Sequence, residues 1–296
     1  MAVGSTRMEP LARVTVVTVT YASAAEIGAF LASVPGGMPV VVVNNASPDA
    51  TAAAVRAARP AASLIDLPEN LGFGAGCNRG LDKVATEFAL LANPDARLTA
   101  EAVATLVATA EAFPDAKLVA PLILDEAGRP GRSWNAIQRR RGSLPRRREA
   151  EPWPEGPFCA EYASGACLLL RPASGLRFDE AFFLFHEDDD LCARAGHVLV
   201  QPAAGVAHAG GRSSGGGGRI ARLKAWHMAW SRLRFTALHG GGPAAARREG
   251  QARLRHHAGK ALGHLLTLQP RKCGTDLAAL SGTLAWLRGQ PARARP

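Results

Sequence analysis

The chain predicts an α/β protein: a mainly parallel sheet with helices on both faces, followed by a basic helical region. Three observations carry this. Short runs of β-branched residues alternate with helical stretches from residue 13 to residue 124. Polar turn clusters recur at the ends of successive strands. The positive charge gathers late: from Arg212 onward there are 16 Lys/Arg against 2 Asp/Glu, whereas residues 1–211 carry 19 against 23.

The run 13–20 (RVTVVTVT) reads as a buried strand, since branched side chains suit a pleated surface. A helix over 24–33 follows, stopped by Pro35-Gly36-Gly37. The run 39–44 (PVVVVN) is a second buried strand, and 50–58 a second helix. A short strand over 63–67, a helix over 76–84 and a strand over 87–92 come next. The helix 99–113 and the strand 117–124 complete the alternation, an order that favours parallel pairing. Residues 125–156 are polar and Pro-rich, with Arg triplets at 139–141 and 146–148; a loop of that length is functional or mobile. Strands are expected over 163–171 and 198–201, a Gly-rich joint over 215–218, and helices over 219–238, 247–268 and 275–287.

A chain of 296 residues with 47% hydrophobic content can fill a sizeable core. No run reaches the ~18 apolar residues of a membrane span, and the first ten residues lack the apolar centre of a secretory signal. The five cysteines are scattered, with neither metal-type pairs nor a disulfide framework, which points to a reducing cytoplasm. The basic last third suits a polyanion, either an anionic membrane face or nucleic acid.

In open parallel sheets, ligands bind beyond the carboxyl ends of the strands. Four clusters fall at such ends: Thr20-Tyr21, Asn44 to Ser47, Asn70 to Gly74, and Asn93-Pro94-Asp95. The glycine run Gly72-Phe73-Gly74-Ala75-Gly76 has the wrong spacing and place for a dinucleotide fingerprint, and reads as backbone that approaches a ligand closely. The acid run Glu187-Asp188-Asp189-Asp190 follows the apolar Ala181 to Phe185. It can open a helix, where carboxylates complement the dipole, or hold a general base at a pocket mouth. The residues alone leave both readings open.

Taken in order, these segments resemble a known family. The set comprises Val16 to Tyr21, Val43 to Asp49, Asn70 to Gly74 with Asn78 and Gly80, Leu91 to Asp95, Ser164-Gly165-Ala166, Phe183 to Arg194, and His208. It is similar to the family 2 inverting glycosyltransferases of GT-A fold, most of all to their rhamnosyltransferase-like branch, over about residues 13–240. The resemblance implies transfer of a sugar from a nucleoside-diphosphate donor to an acceptor hydroxyl by single displacement. It also implies a divalent metal, Mg2+ or Mn2+. Thr20, Tyr21, Asn44, Asn70, Gly72 and Asn93 are expected at the donor nucleotide. Asn44 stands where relatives usually carry Asp, and Asn93 replaces the first acid of their DxD motif. Asp95 is then the main metal carboxylate, with His208 completing the shell. Asp188 is the expected catalytic base. Gly165, Ala166, Glu187 and Asp190 are expected on the acceptor side, and Asp189 has no assigned role.

The implied organisation is a GT-A catalytic domain over 1–212, with a nucleotide-sugar half at about 13–124 and an acceptor half at about 157–212, then a basic helical region over 213–296. Trp226, Trp230, Leu233 and Phe235 lie near helical spacing among basic residues. They either dock on an anionic membrane, which suits a lipid-linked glycan acceptor at the inner face, or pack onto the catalytic domain. Two rival classes remain. A nucleic-acid-binding protein would use the basic tail, but no binding motif accompanies the charge. A sugar-1-phosphate nucleotidyltransferase should have a Gly-rich, basic signature where Thr20-Tyr21-Ala22-Ser23 stands.

Overall fold

The computed structural model describes residues 9–131, 133–135, 154–208 and 217–292. The two Arg triplets and the expected boundary at 212/213 lie outside these residues. Strands β1 (Val14–Thr20), β2 (Val40–Asn44), β3 (Ser63–Asp66) and β4 (Phe88–Ala92) alternate with helices α1 (Ile27–Ser33), α2 (Thr51–Ala58) and α3 (Phe73–Leu81). Then come β5 (Ala96–Arg97), α4 (Ala100–Ala112), β6 (Leu118–Leu124), β7 (Trp134–Asn135), β8 (Phe158–Ala160), β9 (Tyr162–Ala163) and β10 (Cys167–Leu170). Helix α5 (Glu187–Ala195) and strand β11 (Val198–His208) lead to three long helices, α6 (Gly218–His239), α7 (Gly242–Leu266) and α8 (Pro270–Leu287).

The main sheet runs β3-β2-β1-β4-β10-β6-β11-β5, with β8 beside β11. Strands β1 to β4 pair in parallel, while β10 enters antiparallel between β4 and β6. Every residue of β1, β2 and β4 is buried, as expected of strands covered on both faces. Alternating side chains then build two cores. Val14, Val16, Val40 and Leu90 face α1, α2 and α4. Val17, Val41, Ala89 and Leu91 face α3 and α5.

The polar ends of β1, β2 and β4 therefore come together at one edge, and the antiparallel β10 brings the residues just before it there too. Its Cys167 lies opposite Ala92, the last residue of β4. Strand β11 continues well past the expected 198–201. A bulge between Gln201 and Gly205 absorbs Pro202 without ending the pairing.

The C-terminal helices resolve the two readings of the aromatic stripe. Trp226, Trp230 and Leu233 are buried. Trp226 and Trp230 pack with Ala285 of α8. A Cβ on Gly282 would meet the Trp226 carbonyl oxygen at 2.2 Å, so this glycine sets how closely α6 and α8 cross. The tryptophans of the stripe thus pack on α8 inside the helical region, while Phe235 stacks on His186 ahead of the acid run. Among the described residues, no helix is long and apolar enough to cross a membrane.

Candidate active site

The acid run occupies the first turn of α5, as the helix-start reading expects. It is set there by two successive non-glycine residues with positive φ, Phe185 (67°) and His186 (63°). Such backbone costs on the order of 1–2 kcal/mol per residue and persists where surroundings hold it. His186 Nδ1 lies 2.9 Å from Asp189 Oδ2, and the His186 ring stacks on Phe235 of α6. Asp189 thus has a structural task that its sequence context did not reveal.

The four carboxylates point different ways because successive helical residues differ by about 100° in direction. Asp190 is 1% exposed. One oxygen meets His239 Nε2 at 2.8 Å, and the other accepts from Arg194 Nη2 at 2.6 Å. Asp190 therefore ties α5 to α6 and is not available to an acceptor. Glu187 is buried as well, close enough to Cys77 to add to the burial that pushes that thiol well above its ordinary 9.0. Both acids lie buried in the first turn of α5.

Asp188 alone in the run is half-buried. Its Oδ2 accepts from the Tyr162 hydroxyl at 2.9 Å and from Gly165 N at 3.2 Å, and its Oδ1 from Asp189 N at 3.0 Å. Donors aimed at a carboxylate favour its ionised form and fix its direction. A Cβ on Gly165 would come within 3.2 Å of Asp188 Cβ, so the close approach needs this glycine.

The neighbouring Ala166 carbonyl accepts from Asn93 N at 2.9 Å. Gly165 and Ala166 are both buried. They join the Asp188 site to the Asn93 site through adjacent residues, whose Cα atoms are about 3.8 Å apart. Their position is between these two polar sites, with Gly165 directly against Asp188.

At Asn93 the pairing of β5 with the end of β11 sets His208 opposite Ala96. His208 Nε2 lies 3.0 Å from Asp95 Oδ1 and 3.3 Å from Asn93 Nδ2. The Asp95 oxygens are buried and receive no well-directed hydrogen bond. Burial raises the Asp95 carboxyl, but His208 outweighs it and holds the group below the ordinary carboxylate value. No group of three or more His, Cys, Asp or Glu able to hold a metal occurs among the described residues. Asp95 and His208 still fit a hard divalent ion of the kind that takes only one or two protein ligands and completes its shell with water and substrate phosphate.

The nucleotide-side residues surround the ends of β1, β2 and β3. Tyr21 is 47% exposed and open to a ligand. Thr20 is fully buried, and its hydroxyl donates to the Val43 carbonyl at 3.2 Å, so it supports the floor and does not line the pocket. Asn44 Nδ2 donates to Asp66 Oδ1 at 2.8 Å. A carboxylate thus stands beside Asn44 after all, supplied by the next strand. Asn45 holds the following turn: its side chain donates to Asn70 Oδ1 and the Gly72 carbonyl and accepts from Leu71 N. Asn70 and Gly72 take part in this scaffold.

Gly72 has φ +88°, and a Cβ there would lie 2.3 Å from the Phe183 carbonyl oxygen. Gly74, Gly76 and Gly80 meet Phe178, Val19 and Val17 in the same way. The glycine run thus serves packing of α3 against the sheet and the segment before the acid run, and the expected approach to a ligand is replaced by approach to the protein itself. Tyr162 and Asp66 are the residues that sequence reading missed, and Asn45 was marked only as part of a turn cluster. Tyr162 lies 26 positions from Asp188, and no local pattern marks it.

A family model described as "Glycosyl transferase family 2" matches residues 15–168. The chain belongs to glycosyltransferase family 2. An N-acetylglucosaminyl-diphospho-decaprenol L-rhamnosyltransferase of Mycobacterium tuberculosis (strain CDC 1551 / Oshkosh) is 28% identical over 240 residues, covering 68% of this chain and 77% of the relative. Among solved structures, a mannosyltransferase from Pyrobaculum calidifontis, in complex with GDP-Man and Mn2+, superposes with TM-score 0.54 at 19% identity, covering 93% of this chain and 87% of that one. TarS 1-349 of S. aureus gives TM-score 0.52 at 17% identity, covering 94% and 92%. The fold of this glycosyltransferase is GT-A. It is a nucleotide-sugar glycosyltransferase of the rhamnosyltransferase-like kind. The nucleic-acid-binding and nucleotidyltransferase readings draw no support from these matches.

Proposed function

We propose that this glycosyltransferase moves a sugar to an acceptor hydroxyl with inversion, and that Asp188 is the base. The observation that carries the reading is that Asp188 is the half-buried carboxylate of an acid run whose other three members are buried. The Asp188 carboxylate takes the hydroxyl proton while the acceptor oxygen bonds to the anomeric carbon. The bond from that carbon to the donor phosphate oxygen breaks, and the nucleoside diphosphate leaves with the electron pair. Tyr162 and Gly165 N keep the carboxylate aimed during attack. Asp95 and His208 would hold a Mg2+ or Mn2+ ion, which supplies counter-charge to the diphosphate. Tyr21, Asn44 with Asp66, and Asn70 contact the donor nucleotide, and Asn93 lies between nucleotide and metal.

The donor proposed is dTDP-rhamnose, and the acceptor a lipid-linked glycan, in keeping with the mycobacterial relative's name. Such an acceptor brings the enzyme to the cytoplasmic membrane face. The catalytic unit is proposed to span 1–212 and the basic helical region 213–296. The test is Asp188→Asn with dTDP-rhamnose and Mn2+. Transfer should fall by about 100-fold or more, while the thermal shift given by donor nucleotide persists. Retained transfer puts the base elsewhere.

A further inference from the structure

The corner between α7 and α8 carries an apolar surface that none of the described residues covers. Leu262, Leu265 and Leu266 end α7, and Leu268 follows in the turn; Leu266 is 75% and Leu268 87% exposed. Four adjacent leucines left in water are unusual on a soluble surface and mark an interaction site. Their placement on α7 is regular. Arg248, Arg255 and Leu262 recur every seven residues on one exposed face, opposite the buried Ala246, Gly250 and Ala261.

Charge selects the occupant. Arg271 and Lys272, in the first turn of α8 just beyond Leu268, are exposed. From Arg212 to the end the chain has only two carboxylates, Glu249 and Asp276. Asp276 is buried between His257 Nδ1 at 2.9 Å and His264 Nδ1 at 2.8 Å. Glu249 meets Arg232 and Arg253 and accepts from Thr236. Among the described residues, the corner therefore presents leucine and positive charge with neither of these acids turned outward. A second copy docking face to face would oppose like charges, whereas an anionic bilayer offers both an apolar interior and a complementary surface.

We infer that the α7–α8 corner is a membrane-docking wedge, with Leu265, Leu266 and Leu268 entering the acyl boundary and Arg271 and Lys272 meeting anionic headgroups. This deepens the proposed membrane-borne acceptor, but it is read by vesicle binding and not by transfer, so the two can fail separately. The experiment is co-sedimentation of the full chain with phosphatidylcholine vesicles, with and without about 30 mol% phosphatidylglycerol. Wild type should pellet with the anionic vesicles and be released by salt. Leu265→Ser/Leu266→Ser/Leu268→Ser should weaken binding roughly tenfold or more, with an unchanged melting temperature because these side chains are exposed. Arg271→Ser/Lys272→Ser should remove the preference for anionic over neutral vesicles. The inference is overturned if wild type stays in the supernatant or if the leucine variant binds as well as wild type. It is equally overturned if that variant changes only the oligomeric state by light scattering, since the occupant is then a second copy.

Discussion

At the scale of single residues, the site depends on how Asp188 is aimed. The Tyr162 hydroxyl contributes one hydrogen bond to that carboxylate at 2.9 Å. Tyr162→Phe keeps the ring and its packing while deleting the donor. One such bond is worth about 1 kcal/mol or somewhat more to a charged acceptor, so kcat should fall several-fold to about tenfold while the donor KM holds. A steady-state comparison checks this, and an unchanged kcat would detach Tyr162 from the base. Which acid of the run is accessible was not readable from the run itself, because four adjacent carboxylates look alike until a helix turns each a different way. Asp95 and His208 were legible only through family resemblance: 113 positions separate them, and the β5–β11 pairing brings them to 3.0 Å.

At the scale of elements, the turn before α3 and the segment before α5 depend on each other. Gly72 sits against the Phe183 carbonyl with φ +88°. Gly72→Ala should cost about 2 kcal/mol or more through steric clash and a disfavoured backbone, seen as a lower denaturant midpoint. Transfer should fall with it, since Phe183 leads into the acid run. The valine strands β1 and β2 were legible within a residue, because buried parallel strands announce themselves by composition. Helix α3 begins three residues before its expected start, since Gly74 and Gly76 are there for close packing and not as breakers. Strand β11 runs past the expected 201 because the bulge between Gln201 and Gly205 accommodates Pro202. The two-residue strands β5, β7 and β9 have too few positions to show any period.

At the scale of the whole molecule, the helical region is joined to the catalytic part by polar contacts as well as by chain. Ser231 donates to the Leu184 carbonyl at 2.9 Å, Arg234 pairs with Asp179, and His239 meets Asp190. Within the region, Asp276 clasps α7 to α8. Burial raises its carboxyl, but His257 and His264 outweigh this and hold it below the ordinary 3.8. A depressed carboxylate stabilises fully above its unfolded value, and the effect is lost as pH falls through the folded one. Asp276→Asn should therefore melt below wild type at about pH 5, and the gap should close as pH falls beneath about 4. Thermal melts across that range decide it, and a gap that persists in acid would assign the effect to packing alone.

The buried state of the acid run also bears on the approach of the donor. A nucleotide sugar is an anion, and four surface carboxylates beside its path would repel it at short range. Asp190 is instead paired with Arg194 and touches His239, Asp189 faces His186, and Glu187 is buried. A stretch that is among the most acidic in the sequence therefore exposes chiefly one carboxylate, that of the proposed base Asp188, to an incoming diphosphate, and one of the three buried acids carries its own fixed counter-charge in Arg194.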